Sequence, residues 1–507
     1  MISISCGNPV VCGEGTTEKD GACIPTVDTS VESDTDTDAD SDTDSDTDTD
    51  TDADSDTDTD TDTDTGILDT GPFDADGDGF FAHVDCDDND SARYPGATEH
   101  CNGVDDNCDG LFDTGPLVTV DGTQSFITVQ AAVSAAQAGD EVVVCPGNYY
   151  EVVQVGLPIS IVSLSGPQST LIGGFGFFGF PTIDATFLGA QTLDITGLTI
   201  SGGETGGIVM APASTLNLTD MLVTYNDGTG IVGADINMTD TEVSDNQANG
   251  DGGGLWLMDG TVTCVNSLIT RNAADLLNMG GGAIVDGDVV MAGCDIRDNA
   301  ADDGGGIAVI GGGTLDLTGS VVASNDGNDG AGIWLDGPLL IGGDIVANDG
   351  RGGSGVFSVW QDAIISGVLI RQNIASLGGG GVYFSAGGTL ENSEVVDNLI
   401  NSGNGGGVLV EDNALANIDN TIIERNTATD GGGIEVCRNA TANVNGGTIR
   451  DNDADYDGGG VYIDNGGGMT LTAVDIGNND PEDVGFSNGA QDFGGITNAI
   501  CDDTYCY

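Results

Sequence analysis

The stretch FDADGDGFFAHVDCDDND, residues 73–90, places carboxylates at alternate positions around two glycines. Carboxylates two residues apart on a tight loop can turn their oxygens to one centre, the chemistry of a hard, oxygen-ligated cation. On the numbering of a twelve-residue calcium loop, Asp74, Asp76 and Asp78 take positions 1, 3 and 5, and Gly79 the sharp turn at 6. Phe80 offers a backbone carbonyl at 7, Ala82 leaves room for a water at 9, and Asp85 stands at 12. Position 12 usually carries a bidentate Glu; the shorter Asp85 implies weak binding, on the order of 10⁻⁴ to 10⁻³ M. A second copy follows, with Asp105, Asn107, Asp109, Gly110, Leu111 and Asp113 at positions 1, 3, 5, 6, 7 and 9. TGP precedes the first loop and no flanking helix is expected, so these are free-standing loops.

Something must hold such loops in shape, because residues 66–115 contain little apolar sequence to bury. Disulfides are the usual substitute in an oxidising, extracytoplasmic setting. Of twelve cysteines, Cys12, Cys23, Cys101, Cys108, Cys501 and Cys506 are the disulfide candidates, with Cys101 and Cys108 read as a pair. Cys145, Cys264, Cys294 and Cys437 are dispersed through the later sequence and read as buried free thiols. The 84 acidic residues against nine basic ones give a formal charge of −75, which excludes nucleic acid and anionic membrane surfaces as partners. No run approaches the roughly 18 apolar residues of a membrane span.

The chain divides by composition. Residues 1–27 form a cysteine-bearing head, and 28–65 an acidic linker in which every second residue from Asp34 to Asp64 is aspartate. Such a run has no apolar face and repels itself, so it is expected to be disordered and extended. Residues 66–115 form the calcium-loop module, 116–485 a repeat domain and 486–507 a C-terminal cap. In the repeat domain an asparagine recurs after a short β-branched run, at 226, 246, 272, 299, 325, 348, 373, 398, 426, 452 and 479. A glycine cluster and an apolar strand follow, as in GGGLWL (252–257), GGGVYF (379–384), GGGVLV (405–410) and GGGIEV (431–436). Short strands, glycine turns and a period near 25 predict a parallel β-solenoid with alternate side chains in a stacked core. Asparagines at one corner are expected to bond from coil to coil. The segment SFITVQAAVSAAQAGDEVVVC predicts a short helix over 128–138, with Val129, Ala132, Val133 and Ala136 on one face and Gly139 ending it.

With that opening helix and the repeat that follows, the chain resembles the right-handed parallel β-helix proteins, both pectin-lyase-like and polymorphic outer-membrane families. The resemblance implies an all-β right-handed parallel β-helix of about thirteen coils with a short N-terminal capping helix, a rod of roughly 65 Å at one strand spacing per coil. DCDD, YPGATE and CNGVDDNCDG resemble the metal-binding repeat named after the copper-binding surface protein MopE. That name raises copper beside calcium, and both histidines, His83 and His100, fall in this segment. VVCGEGTTEKDGACIP resembles the head that follows the lipidated cysteine of Gram-negative surface lipoproteins, which implies acylated Cys6 and leaves Cys12 and Cys23 to pair. Membrane contact is then expected only through Cys6.

For the repeat domain three readings stand. The first is a noncatalytic, secreted or surface-tethered protein binding an extracellular glycan, matrix or surface component. The second is a polysaccharide lyase or glycoside hydrolase on the same fold, which needs a base beside metal-binding acids or clustered carboxylates. The third is a copper-binding surface protein. No histidine lies in the repeats, and no catalytic residue is assigned. Arg271 and Arg425 precede a repeat asparagine directly, and Arg297, Arg371 and Arg450 stand two before one. That regularity predicts a structural ladder with Asp298, Glu424 and Asp451 as neighbours.

Overall fold

The computed structural model describes residues 74–97, 104–110 and 118–487 except 123, 276, 277 and 465, together with the backbone of three strands, Thr16–Lys19, Ala22–Pro25 and Ile500–Cys501. Two units separate, Met1–Asp69 and Thr70–Tyr507. In the first, Thr16–Lys19 and Ala22–Pro25 form an antiparallel hairpin closed by two residues. Cys6, the side chains of Cys12 and Cys23, and the 28–65 linker lie outside the described residues, as do Cys101, Leu111, Asp113 and Cys506 and the side chain of Cys501.

The second unit carries a right-handed β-solenoid of about thirteen turns with almost no helix, as the repeat predicts. Most coils contribute three short strands, which merge into long ones at Leu255–Thr270 and Ala283–Arg297, and along the solenoid strands pair in parallel with their counterparts one coil on. Thus Ile208 of Gly206–Met210 faces Ile231, which faces Leu255. The glycines before each such strand stack under the next coil's backbone: a Cβ on Gly254 would lie 2.4 Å from the Gly282 carbonyl oxygen. Only glycine lets the coils approach this closely. Ile208, Ile231, Leu255, Ala283, Ile307, Ile333, Val356, Val382, Val408, Ile434 and Val461 follow one another as a fully buried column. A fourth, shorter face starts with Gln247–Ala248 on Ala273–Ala274, passes through bridges at Ala300, and becomes a six-stranded parallel sheet from Asp326–Asp329 to Asp453–Ala454.

Helix α1 (Val129–Ala135) covers the first coil with Val129, Ala132 and Val133 buried. Thr128 Oγ1 accepts the Ala131 N–H at 3.1 Å, and the Glu151 carboxylate accepts the Val129 and Gln130 N–H groups at 2.8 Å each. That satisfies three donors of the first turn and sets a negative charge at the positive end of the helix. The helix is shorter than the spacing predicts, because Ala136 is already extended (ψ 153°); Gly139 takes φ +94° three residues later. The described residues include no helix long and apolar enough to cross a membrane.

The asparagine corner is continuous. From Asn226 to Asn479 each Nδ2 donates to the Oδ1 of the next asparagine at 2.8–3.1 Å, and the last bonds to Asp483. The residue before each one is left-handed without being glycine, from Tyr225 (φ 52°) to Asn478 (φ 58°). Such backbone costs on the order of 1–2 kcal/mol per residue, so the buried ladder must over-determine it.

Two readings of the cysteines need correction. Cys264 and Cys294 are joined in a disulfide with Cα atoms 4.8 Å apart, and Cys145 is disulfide-bonded too; these are no free thiols. Stacked coils bring residues about one strand spacing apart, which lies within disulfide reach. Cys437 is free and buried, as expected.

Candidate metal centre and a polar cleft

Residues 74–90 form a loop of bends with neither helix nor strand, and its carboxylates shape it. Asp74 Oδ1 and Oδ2 accept the N–H groups of Gly77 and Gly79 at 2.7 and 3.0 Å. Asp76 Oδ1 accepts from Asp78, Asp78 Oδ1 from Phe80, and Asp85 Oδ1 from Asp87, at 3.2, 2.8 and 3.0 Å. Gly77 (φ +85°) and Gly79 (φ +102°) supply the turns that a side chain would strain. One oxygen of each of Asp76, Asp78 and Asp85 therefore holds the backbone. Their other oxygens, Oδ2 in all three, are buried without a hydrogen-bond partner.

Asp74, Asp76 and Asp78 offer ligand oxygens that all lie within 4.8 Å of one another. Desolvation first, and then the charges of Asp78, Asp85 and Asp74, hold the Asp76 carboxyl above its ordinary range. Asp76 and Asp78 each bring a partnerless oxygen to that group, and carboxylates so close together repel unless a cation sits among them, so Asp74, Asp76 and Asp78 fit a metal ion.

The second loop repeats the device. Asp105 Oδ2 accepts from Gly110 at 2.7 Å, the same five-residue reach as Asp74 to Gly79, and Asn107 Oδ1 accepts from Asp109 at 2.9 Å. Gly110 has φ +88°. The Arg93 guanidinium lies 2.8, 3.3 and 3.8 Å from Asp87, Asp90 and buried Asp106, which binds the two loops together. Phe80 stacks on Tyr94 with ring centroids 5.2 Å apart.

Cys108 pairs with Cys86 across the two loops, Cα atoms 5.4 Å apart, and not with Cys101. The spacing in sequence favours Cys101, but the fold back through the Tyr94–Ala97 turn sets the loop ends side by side: Tyr94 and Gly96 donate to the Asp106 and Asn107 carbonyls. Asp85, Cys86 and Cys108 lie close enough to suggest a ligand set, yet both sulfurs are consumed by the disulfide. His83 is exposed and stacks on Phe81, while His100 lies outside the described residues.

The solenoid carries a second polar site that breaks its own repeat. In the strand after each glycine cluster the middle residue alternates with the core column: half-buried Trp256 and Tyr383 and buried Ala308 and Leu409 hold this position, and then Glu435. Glu435 is 1% exposed; its Oε1 accepts the Asn404 amide at 3.1 Å and its Oε2 has no partner. Burial first, then Asp430, Asp464 and Glu411, push its pKa up to about 8, so it holds its proton at neutral pH. Glu411 sits beside it in the same cleft, paired with Arg438 at 3.0 Å and raised by burial against that cation. Burial and these acids also push the Cys437 thiol up, which denies it a nucleophilic thiolate. The other arginines form a ladder of ion pairs, mostly with acids one coil away and, of the neighbours expected, only with Glu424: Arg271 with Asp245, Arg371 with Asp344, Arg425 with Asp397 and Glu424. Neither Asp298 nor Asp451 is among the described ion-pair partners.

The chain belongs to the right-handed β-helix family, whose family model, "Right handed beta helix region", matches residues 186–338 and 286–480. Residues 85–114 match Cu-binding MopE, described as a "Putative metal-binding motif". A search of curated proteins finds no match. Among solved structures, the A-module of mannuronan C-5 epimerase AlgE6 from Azotobacter vinelandii is similar with a TM-score of 0.36 and 14% identity, over 74% of this chain and 95% of that one.

Proposed function

We propose that this chain is a noncatalytic, extracytoplasmic binding protein in which a calcium-loaded, disulfide-closed module precedes a rigid β-helix that presents its outer faces to an extracellular glycan or surface component. The observation that carries the reading is the set of buried, partnerless oxygens on Asp76, Asp78 and Asp85. The ligand set is all oxygen, supplied by carboxylates on an irregular loop, which suits calcium; the sulfurs a softer ion would want are in a disulfide. Disulfides at Cys86–Cys108 and Cys264–Cys294 support a location outside the reducing cytoplasm. Acylation of Cys6 and a stalk over 28–65 belong to the same proposal.

Hydrogen exchange of residues 74–110 in the full chain tests it. Calcium should slow exchange at Gly77, Gly79 and Gly110, and dialysis should remove added copper. Retention of stoichiometric copper, or exchange indifferent to calcium, overturns the calcium assignment. One observation favours a second reading, polysaccharide cleavage: a protonated Glu435 lines the same cleft as the Glu411–Arg438 pair. A proton donor beside a carboxylate is the usual pairing for glycoside hydrolysis, and release of new reducing ends would establish it.

A further inference from the structure

Between the strands Thr170–Gly173 and Ile183–Ala185 runs the loop GFGFFGFPT, residues 174–182, which leaves its rings in solvent. Phe178 is 79% exposed; Phe175, Phe177 and Phe180 are exposed too, as is Phe187 beyond the second strand. The loop is held in place. The Phe177 N–H donates to the Gly174 carbonyl at 3.1 Å, and the Gly179 N–H donates to the Glu204 carboxylate. The Phe180 carbonyl accepts the Glu204 and Thr205 N–H groups at 3.1 and 3.3 Å. The Phe175 ring lies over Gly202, where a Cβ would come within 2.5 Å of it, and meets Tyr150 edge to face with centroids 6.1 Å apart. So many exposed rings on one preordered loop mark a contact surface, and little freedom remains to be lost when it docks.

Beside the loop lies a cleft of about 570 Å³, lined by Phe180, Val209, Val232, Trp256 and Met258. Val209, Val232 and Trp256 are the half-buried outward residues of three successive coils. The Trp256 indole N–H is buried there with no hydrogen-bond partner, a donor that is costly until an acceptor reaches it. Every residue from Val152 to Ile183 is uncharged, and Asp184 is the one charged residue in the cleft wall. Around this apolar centre the charge is of one sign. Glu204 supports the loop, Asp259 follows Met258, and Asp286 pairs with Met258 in register; all three are exposed. No lysine or arginine occurs between Arg93 and Arg271.

We infer that this patch is the docking site for a cationic, amphipathic polypeptide, whose apolar side chains pack against Phe178 and into the cleft while its lysines or arginines meet the carboxylates of the rim. A backbone carbonyl of that segment is the acceptor that the Trp256 N–H lacks. Aromatic anchors at an apolar centre supply the affinity of such an interface, and the rim charges select the partner. Charge complementarity decides the occupant. A second copy of this chain would set the same carboxylates against these, and an anionic membrane meets the same repulsion. The inference goes beyond the glycan-binding reading and stands independently of it, with a different partner and a different readout.

Isothermal titration of the full chain with a helical leucine–lysine peptide tests the patch, with an oligolysine of equal charge as the control. The leucine–lysine peptide should bind about tenfold more tightly than the oligolysine. Phe178→Asp should weaken its binding about tenfold although the substitution adds a negative charge, and Trp256→Ala should do the same. Attraction by bulk charge alone predicts tighter or unchanged binding for Phe178→Asp. Phe178 is largely exposed, so its replacement leaves the core intact, and far-ultraviolet circular dichroism confirms that both variants are folded. Equal affinity for the two peptides, or a Phe178→Asp variant that binds the leucine–lysine peptide as tightly as wild type, overturns the inference. A wild-type dimer in light scattering that Phe178→Asp makes monomeric also overturns it, in favour of a second copy. Cosedimentation with phosphatidylcholine vesicles that the same variant loses overturns it in favour of a bilayer.

Discussion

Asn348 sits in the middle of the asparagine ladder and is fully buried. Its Nδ2 donates to the Val322 carbonyl at 3.1 Å and to Asn373 Oδ1 at 2.9 Å. Its Oδ1 accepts both the backbone N–H and the Nδ2 of Asn325 at 3.0 Å. Asn348→Ala thus removes four hydrogen bonds and leaves the buried Asn325 backbone N–H and one of its two Nδ2 hydrogens with nothing to bind, the other still donating to the Ile296 carbonyl. A buried orphan donor costs about 1–3 kcal/mol, so the substitution should destabilise by roughly 3–5 kcal/mol once the cavity is included. The control is Asn249→Ala: that side chain is exposed and donates once, to the Asp227 carbonyl, and its loss should change stability by less than ~0.5 kcal/mol. Urea unfolding monitored by intrinsic fluorescence gives the difference, and hydrogen exchange locates it, because a solenoid loses structure coil by coil. Exchange should accelerate most between residues 320 and 375. A shift below ~1 kcal/mol, or one no larger than the control's, would refute the ladder as the element that fixes the left-handed corner residues.

Three further outcomes follow from the same geometry. Glu435 holds its proton up to about pH 8 in the folded chain and releases it in the ordinary glutamate range when unfolded, so the folded state binds the extra proton between those limits. Stability should fall as pH rises across that window; Glu435→Gln should remove that part of the slope, and an unchanged slope sinks the assignment. Cys264→Ala with Cys294→Ala opens a bridge across adjacent coils and should lower stability by about 2–4 kcal/mol, read by urea midpoint under nonreducing conditions. Arg371→Ala breaks only a partly exposed pair with Asp344 and should cost less than ~1 kcal/mol; a larger loss would mean the arginines hold the coils together.

The fold was legible because its repeat is written in residues with single physical jobs. The glycine pairs are forced by carbonyls that leave no room for a Cβ, and the asparagines by a corner that only a side-chain amide, donor and acceptor at once, can extend in both directions. The clustering of carboxylates in the first loop was legible for a related reason, since alternation of Asp with a glycine at the sixth position turns those side chains toward one another. What escaped were contacts set by tertiary folding, coil stacking for one disulfide and the fold-back of the acidic loops for the other. Cys264 and Cys294 are 30 residues apart and Cys86 and Cys108 are 22 apart, distances at which local spacing says nothing about proximity. Glu435 escaped although GGGIEV placed an acid where GGGLWL and GGGVYF carry rings, because the outward column becomes visible only when successive coils are laid in register.

The most direct test of the cation site is calorimetric titration of calcium into the full chain, compared with the Asp76→Asn, Asp78→Asn double variant. The acidic run at 34–64 is the same in both proteins, so the difference between isotherms isolates the loop. A saturable site of roughly 10⁻⁴ to 10⁻³ M should appear in wild type and vanish in the variant. Superimposable isotherms would contradict the account, leaving the buried oxygens of Asp76, Asp78 and Asp85 without the ion they imply.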